Sequence, residues 1–166
     1  MAINWKKARG KLGPLAPILG SWVAAIDKPM PMSCTRTYAP FGDKYVKLEA
    51  QWAFSAPRAS AKLTDAQRAA MQAYAGKAYR EIAFFGPDKS GALAFWSFTS
   101  DGKQSEGKLT AAPDIHSAAI CFEAQMHAGL ARQVFWPDAE EGFRWAVESR
   151  TKKGWSRFTE HHYRPA

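Results

Sequence analysis

Between residues 45 and 54 the chain alternates. Val46, Leu48, Ala50, Trp52 and Phe54 take the even positions, with Tyr45, Lys47, Glu49 and Gln51 between them. A period of two turns successive side chains to opposite faces, so this run predicts a strand with one buried face. The pattern recurs downstream. Residues 92–100 are rich in aromatics, with Phe95, Trp96 and Phe98. Residues 116–127 put Ala118, Ile120, Phe122, Ala124 and Met126 on one face. Residues 143–149 set Phe143, Trp145 and Val147 against Arg144 and Glu148. The pairs Gly42-Asp43, Ser90-Gly91, Asp101-Gly102, Glu141-Gly142 and Lys153-Gly154 punctuate these runs as hairpin turns do. About ten short strands result, which reads as an all-β sandwich or barrel.

Two segments depart from this period. Leu12, Leu15, Ile18 and Leu19 have roughly helical spacing, but Pro14 and Pro17 interrupt it, so a short helical or 3₁₀ turn is expected before the first strand. Thr64-Asp65-Ala66-Gln67 reads as a capping box, followed by Ala66, Ala69, Ala70, Ala73 and Tyr74 on one face and Gly76 as a stop. That predicts one inserted helix near 64–75. Its mostly alanine face suits either a lid over a barrel end or a surface helix in a long connection.

Composition narrows the class. A chain of 166 residues is long enough for one domain with its own core, and the whole of it, 1–166, is read as that domain. Ten Phe, seven Trp and five Tyr raise the expectation of a lined interior. The net charge of +8 is scattered, apart from residues 6–11 and Arg150, Lys152 and Lys153, and accompanies no nucleic-acid motif. It is read as a solvated basic surface with room for contact with an anionic surface or for a homodimer, and with no specific nucleic acid. No apolar stretch follows Lys6, Lys7, Arg9 and Lys11, and no transmembrane run is present. Cys34 and Cys121 are expected as reduced core residues of a cytoplasmic protein.

Gly20-Ser21-Trp22, placed after a helical turn and before about ten strands, resembles the Gly-x-Trp opening of the lipocalin and fatty-acid-binding (calycin) superfamily. The absence of a Thr-Asp-Tyr signature and of a helix after the closing strand makes the chain look more like intracellular ten-stranded relatives. Those are the lipocalin-like domains of the DUF1579 type and, more distantly, the haem-binding nitrobindins. The resemblance implies a closed antiparallel barrel, with Gly20 and Trp22 at one end and Arg157 or Arg164 over the Trp22 ring. It also implies a small, largely hydrophobic ligand, such as a carboxylate held by an Arg and a Tyr on the closing strand.

The residues themselves nominate a site. On the last run, Trp155, Arg157, Thr159, His161 and Tyr163 share odd positions. If that face points inward, Arg157, His161 and Tyr163 supply a cation, a titratable ring and a hydroxyl inside an apolar cavity. Trp52, Trp96, Phe98 and Trp145 are expected to line or fill it. His161 and His162 point to opposite faces of a strand, so only one of them could ligate haem iron, and no zinc-ligand spacing is present. Glu123, Gln125 and His127 lie opposite an apolar face and are read as solvent-exposed. No nucleophile elbow, P-loop or dinucleotide fingerprint appears, and no catalytic residue is nominated. The remaining alternative is an interaction module with a filled barrel and an exposed apolar patch.

Overall fold

Each alternating run becomes a strand, and each strand pairs antiparallel with its neighbours in sequence. The computed structural model of the chain describes residues 4–27 and 31–166. A 3₁₀ helix, Gly13–Ile18, leads into β1 (Gly20–Ile26), β2 (Met32–Phe41) and β3 (Tyr45–Phe54). Helix α1 (Asp65–Tyr74) precedes β4 (Ala78–Pro87), β5 (Leu93–Thr99), β6 (Gln104–Thr110) and β7 (Ile120–Met126). The chain closes through β8 (Gly129–Pro137), β9 (Phe143–Thr151) and β10 (Gly154–Pro165), which pairs back onto β1 through Trp22–Pro165 and Val23–Arg164. The result is a closed ten-stranded antiparallel barrel rather than a sandwich. Among the described residues no helix is long and apolar enough to cross a membrane.

The two ends of the barrel differ. Around the start of β1, rings from many strands meet inside. Phe143 packs edge-on to Trp22 with centroids 4.9 Å apart, stacks on Tyr163 of the closing strand at 5.3 Å, and touches Phe135. Phe85, Phe95 and Phe122 form a second group beside it. Leu15 and Ile18 of the 3₁₀ helix seal this end from below, and the Trp22 Nε1–H donates to the Ile18 carbonyl at 2.7 Å. Gly142 shows how tightly the surrounding turn is drawn in. Its φ is +74°, and a Cβ there would collide with the Tyr163 carbonyl.

Helix α1 forms as its capping box predicts. The Gln67 N–H donates to Thr64 Oγ1 at 3.2 Å, and the Thr64 N–H donates to Gln67 Oε1 at 2.9 Å. None of its residues is buried. Tyr74 approaches Phe54 at the end of β3, so the helix lies beside the far end of the barrel.

Candidate functional site

At the end opposite Trp22 the interior stays open. Two lobes of about 360 and 430 Å³ share Glu81, Ser105, Met126, Trp145, Val147 and Phe158. The first extends over Phe95, Ala124 and Gln133, and the second over Trp52, Tyr79, Ser97 and His161. The lining is mainly apolar with a few polar groups, the usual composition of a small-molecule site. Among the described residues of α1, none lines either lobe.

Behind the rings that line this end, and itself lining neither lobe, sits Arg36, which the sequence reading missed. Strand β2 alternates Cys34, Arg36 and Tyr38 inward with Ser33, Thr35 and Thr37 outward. An arginine on the less polar face of a strand was the signal available. Arg36 is 1 % exposed, and its guanidinium carbon lies 4.1 Å from the Trp145 ring centre, 5.2 Å from Tyr163 and 5.3 Å from Trp52. These ring faces stabilise a cation that burial strips of water. Arg36, Ala50 and Glu81 occupy one register line across β2, β3 and β4, and the small Ala50 leaves the charges within reach of each other. The Glu81 Oε2 to Arg36 Nη2 distance is nevertheless 3.8 Å. Arg36 Nη1 donates to Tyr38 Oη at 2.9 Å, whereas Nε and Nη2 have no hydrogen-bond partner. A buried guanidinium with unused donors is costly, and an acceptor brought by a ligand would relieve that cost.

A second polar chain abuts the first. The Tyr163 hydroxyl donates to Cys34 Sγ at 3.1 Å and lies 3.2 Å from His161 Nδ1. With the hydroxyl proton directed at sulfur, the tyrosine oxygen accepts from Nδ1–H, which leaves the lone pair of His161 on Nε2. Burial, and then the Arg36 charge, push the His161 pKa down to about 4, so the ring is neutral near pH 7. Burial raises the Tyr163 and Cys34 pKa values, which keeps both protons in place. On Glu81, Oε1 accepts from the Ser97 hydroxyl at 2.6 Å.

Trp52, Trp145 and His161 line the open end, Tyr163 lies buried beside His161 and stacked on Phe143 without lining either lobe, and four other expectations are corrected. Arg157 points outward. Strand β10 carries a bulge between Arg157 and Thr159, so its odd face changes sides there. Before the bulge, Trp155 and Arg157 face out. After it, Thr159, His161 and Tyr163 face in. Arg157 instead pairs with Glu148 at 3.0 Å and Glu160 at 2.7 Å over the Trp136 ring. Trp96 and Phe98 also lie on the outer face, because β5 turns Phe95 and Ser97 inward. Trp22 is buried, but its ring neighbour is Phe143. Arg164 is exposed on the outer side opposite Val23, and Arg157 lies over Trp136. His162 faces outward, 2.7 Å from the Glu141 carbonyl oxygen and 3.5 Å from Asp138, so it has no access to the interior.

The remaining candidates lie outside the cavity. Gln125 and His127 are exposed, and Glu123 sits on the outer face of β7 opposite Lys108 and Arg132. Cys34 is inside the barrel, whereas Cys121 packs outside it with Ala112 and Val134, and both are free thiols. Among the described residues, no three His, Cys, Asp or Glu side chains are grouped to hold a metal ion. In comparison with known proteins, no family model matches the chain and no curated protein matches its sequence significantly.

Proposed function

We propose that the barrel binds a small amphipathic molecule through its open end, with the apolar body against Trp52, Trp145, Met126 and Val147 and an anionic head, such as a carboxylate, directed at Arg36. The observation that carries this reading is the pair of unpartnered donors on Arg36, Nε and Nη2, fully buried among cavity-lining rings. Carboxylates match guanidinium donors in a planar, charge-assisted pair. The lipocalin-like resemblance of the Gly20–Trp22 opening supports the same class, although the arginine sits on β2 and not on the closing strand. The two thiols, buried on opposite sides of the barrel wall, suit a reducing, cytoplasmic setting.

The test compares a long-chain carboxylate with the alcohol of equal length, read by tryptophan fluorescence and native mass spectrometry. The carboxylate should bind more tightly by roughly 10- to 150-fold, the worth of one charge-assisted hydrogen bond. Arg36→Met should erase the difference. Equal binding of acid and alcohol to the native protein would remove Arg36 from the site, and no binding of either would remove the site.

Haem is the second reading, favoured by one observation: His161 lines the cavity as a neutral imidazole whose Nδ1 is already engaged by Tyr163. Its Nε2 would be the iron ligand, and the iron would supply the binding or redox chemistry of small diatomic molecules. A Soret shift on adding haemin that vanishes in His161→Ala would move the assignment to this class.

A further inference from the structure

The outside of the barrel is not uniformly polar. On β4 and β5, Ile82 sits across from Phe98 and Phe84 across from Trp96, all facing away from the interior. The Phe41 ring packs edge-on against Phe84, with centroids 5.2 Å apart. Phe41 is 54 % exposed, Phe98 48 % and Ile82 39 %. At about 200 Å² for a large side chain, the strip leaves roughly 300–400 Å² of apolar surface in water. Patches of that size commonly mark an interaction surface.

Charge around the strip selects the partner. Lys47, Phe84, Trp96 and Glu106 fall on one register line across β3 to β6, with a cation at one end, an anion at the other and two rings between. Its flanks carry Lys47, Arg80 and Lys108 against Glu49, Asp88 and Glu106, a local balance of zero in a chain of net charge +8. An anionic membrane gains nothing electrostatically from such a face, whereas a second copy meets the least repulsion there. We propose that this face docks on a second copy of the chain around a two-fold axis running parallel to the strands between β4 and β5. That operation sets Phe84 against the partner's Trp96 and Lys47 against the partner's Glu106, so each end of the line meets its complement. The apolar strip is smaller than the ~800 Å² per partner of a standard interface, so the dimer is expected in the micromolar range.

Sedimentation velocity from about 1 to 100 μM tests this, since that range spans a micromolar Kd. The native chain should pass from monomer to dimer. Phe98→Glu should stay monomeric with an unchanged circular dichroism spectrum, and Ile82→Lys, on the same face, should do likewise. Lys47→Glu and Glu106→Lys should each weaken the dimer by up to about 25-fold, because the two-fold axis repeats the pair and each exposed pair is worth up to about fivefold. An equimolar mixture of those two variants should recover native affinity, because both pairs re-form across the heterodimer. A native chain that stays monomeric throughout overturns the proposal, as does a dimer indifferent to Phe98→Glu or a mixture that recovers nothing. Phe98-dependent binding of the monomer to anionic vesicles would also overturn it.

Discussion

The two ends of one barrel are built from the same ten strands with the same alternation, yet one is solid and the other hollow. Near the 3₁₀ helix the inward positions carry Trp22, Tyr38, Phe85, Phe122, Phe135 and Phe143. Toward the opposite rim Trp52, Tyr79 and Trp145 are interspersed with the smaller Ser97, Ser105, Ala124, Gln133, Val147 and Ser149. A barrel of fixed circumference encloses a fixed cross-section, so the summed volume of inward side chains decides whether a given layer fills. At the filled end that volume stabilises the fold. At the open end polar groups stand among the rings: the buried Arg36, the partly exposed Glu81 3.8 Å from it, and a neutral histidine.

The difference can be broken most directly at the solid end. Phe143→Ala should lower stability by about 3–5 kcal/mol, the range for removing a large buried ring, measured by urea denaturation. A loss under about 1 kcal/mol would mean that the ring cluster does not carry the fold.

The open end should respond to pH. The unfolded chain protonates His161 near 6.5 and the folded chain only near 4, so between these values the unfolded state holds more protons. Stability should therefore fall as pH drops from about 6.5 to 4 and level off below, by about 3 kcal/mol from this residue. Comparing melting curves of the native chain and His161→Gln at pH 7 and 4.5 checks it. An unchanged pH dependence in the variant would refute the assignment.

The Arg36–Glu81 pair should separate function from stability. Arg36→Met combined with Glu81→Gln should leave stability unchanged or raise it by up to about 2 kcal/mol, because two desolvated charges disappear. The preference for carboxylate over alcohol should vanish in the same protein. A marked destabilisation would show that the pair is there for the fold.

The smallest effect belongs to α1. Thr64→Ala removes one half of its capping box, worth about 1 kcal/mol to the helix. With no residue of α1 buried, the global unfolding midpoint should hardly move, while amide exchange across 65–74 should quicken about fivefold. Global destabilisation above about 1 kcal/mol would mean that the helix is tied to the barrel.

The amino-acid pattern by itself determined the local elements. Alternation marked the strands at 45–54 and 143–149, glycine pairs marked the hairpins, and the Thr64–Gln67 box marked α1, because each depends on residues within a few positions of one another. Trp52, Trp145 and His161, which the alternation turned inward, line the open end. Only the tertiary structure decided which face of β5 turns inward, since Phe95 and Ser97 compete there with the more apolar Trp96 and Phe98. Ser97 is inside because its hydroxyl meets Glu81, a partner from the neighbouring strand β4. The bulge beside Phe158, which sends Arg157 out and keeps His161 in, is a shift in how β10 pairs with β9, a matter of two strands that the pattern of one does not carry. Arg36 took its central place in the same way, through Ala50, Glu81, Trp145 and Tyr163 arriving from four other strands. Alternation says that two faces differ, but barrel closure and the volumes that meet inside determine which of them is the interior.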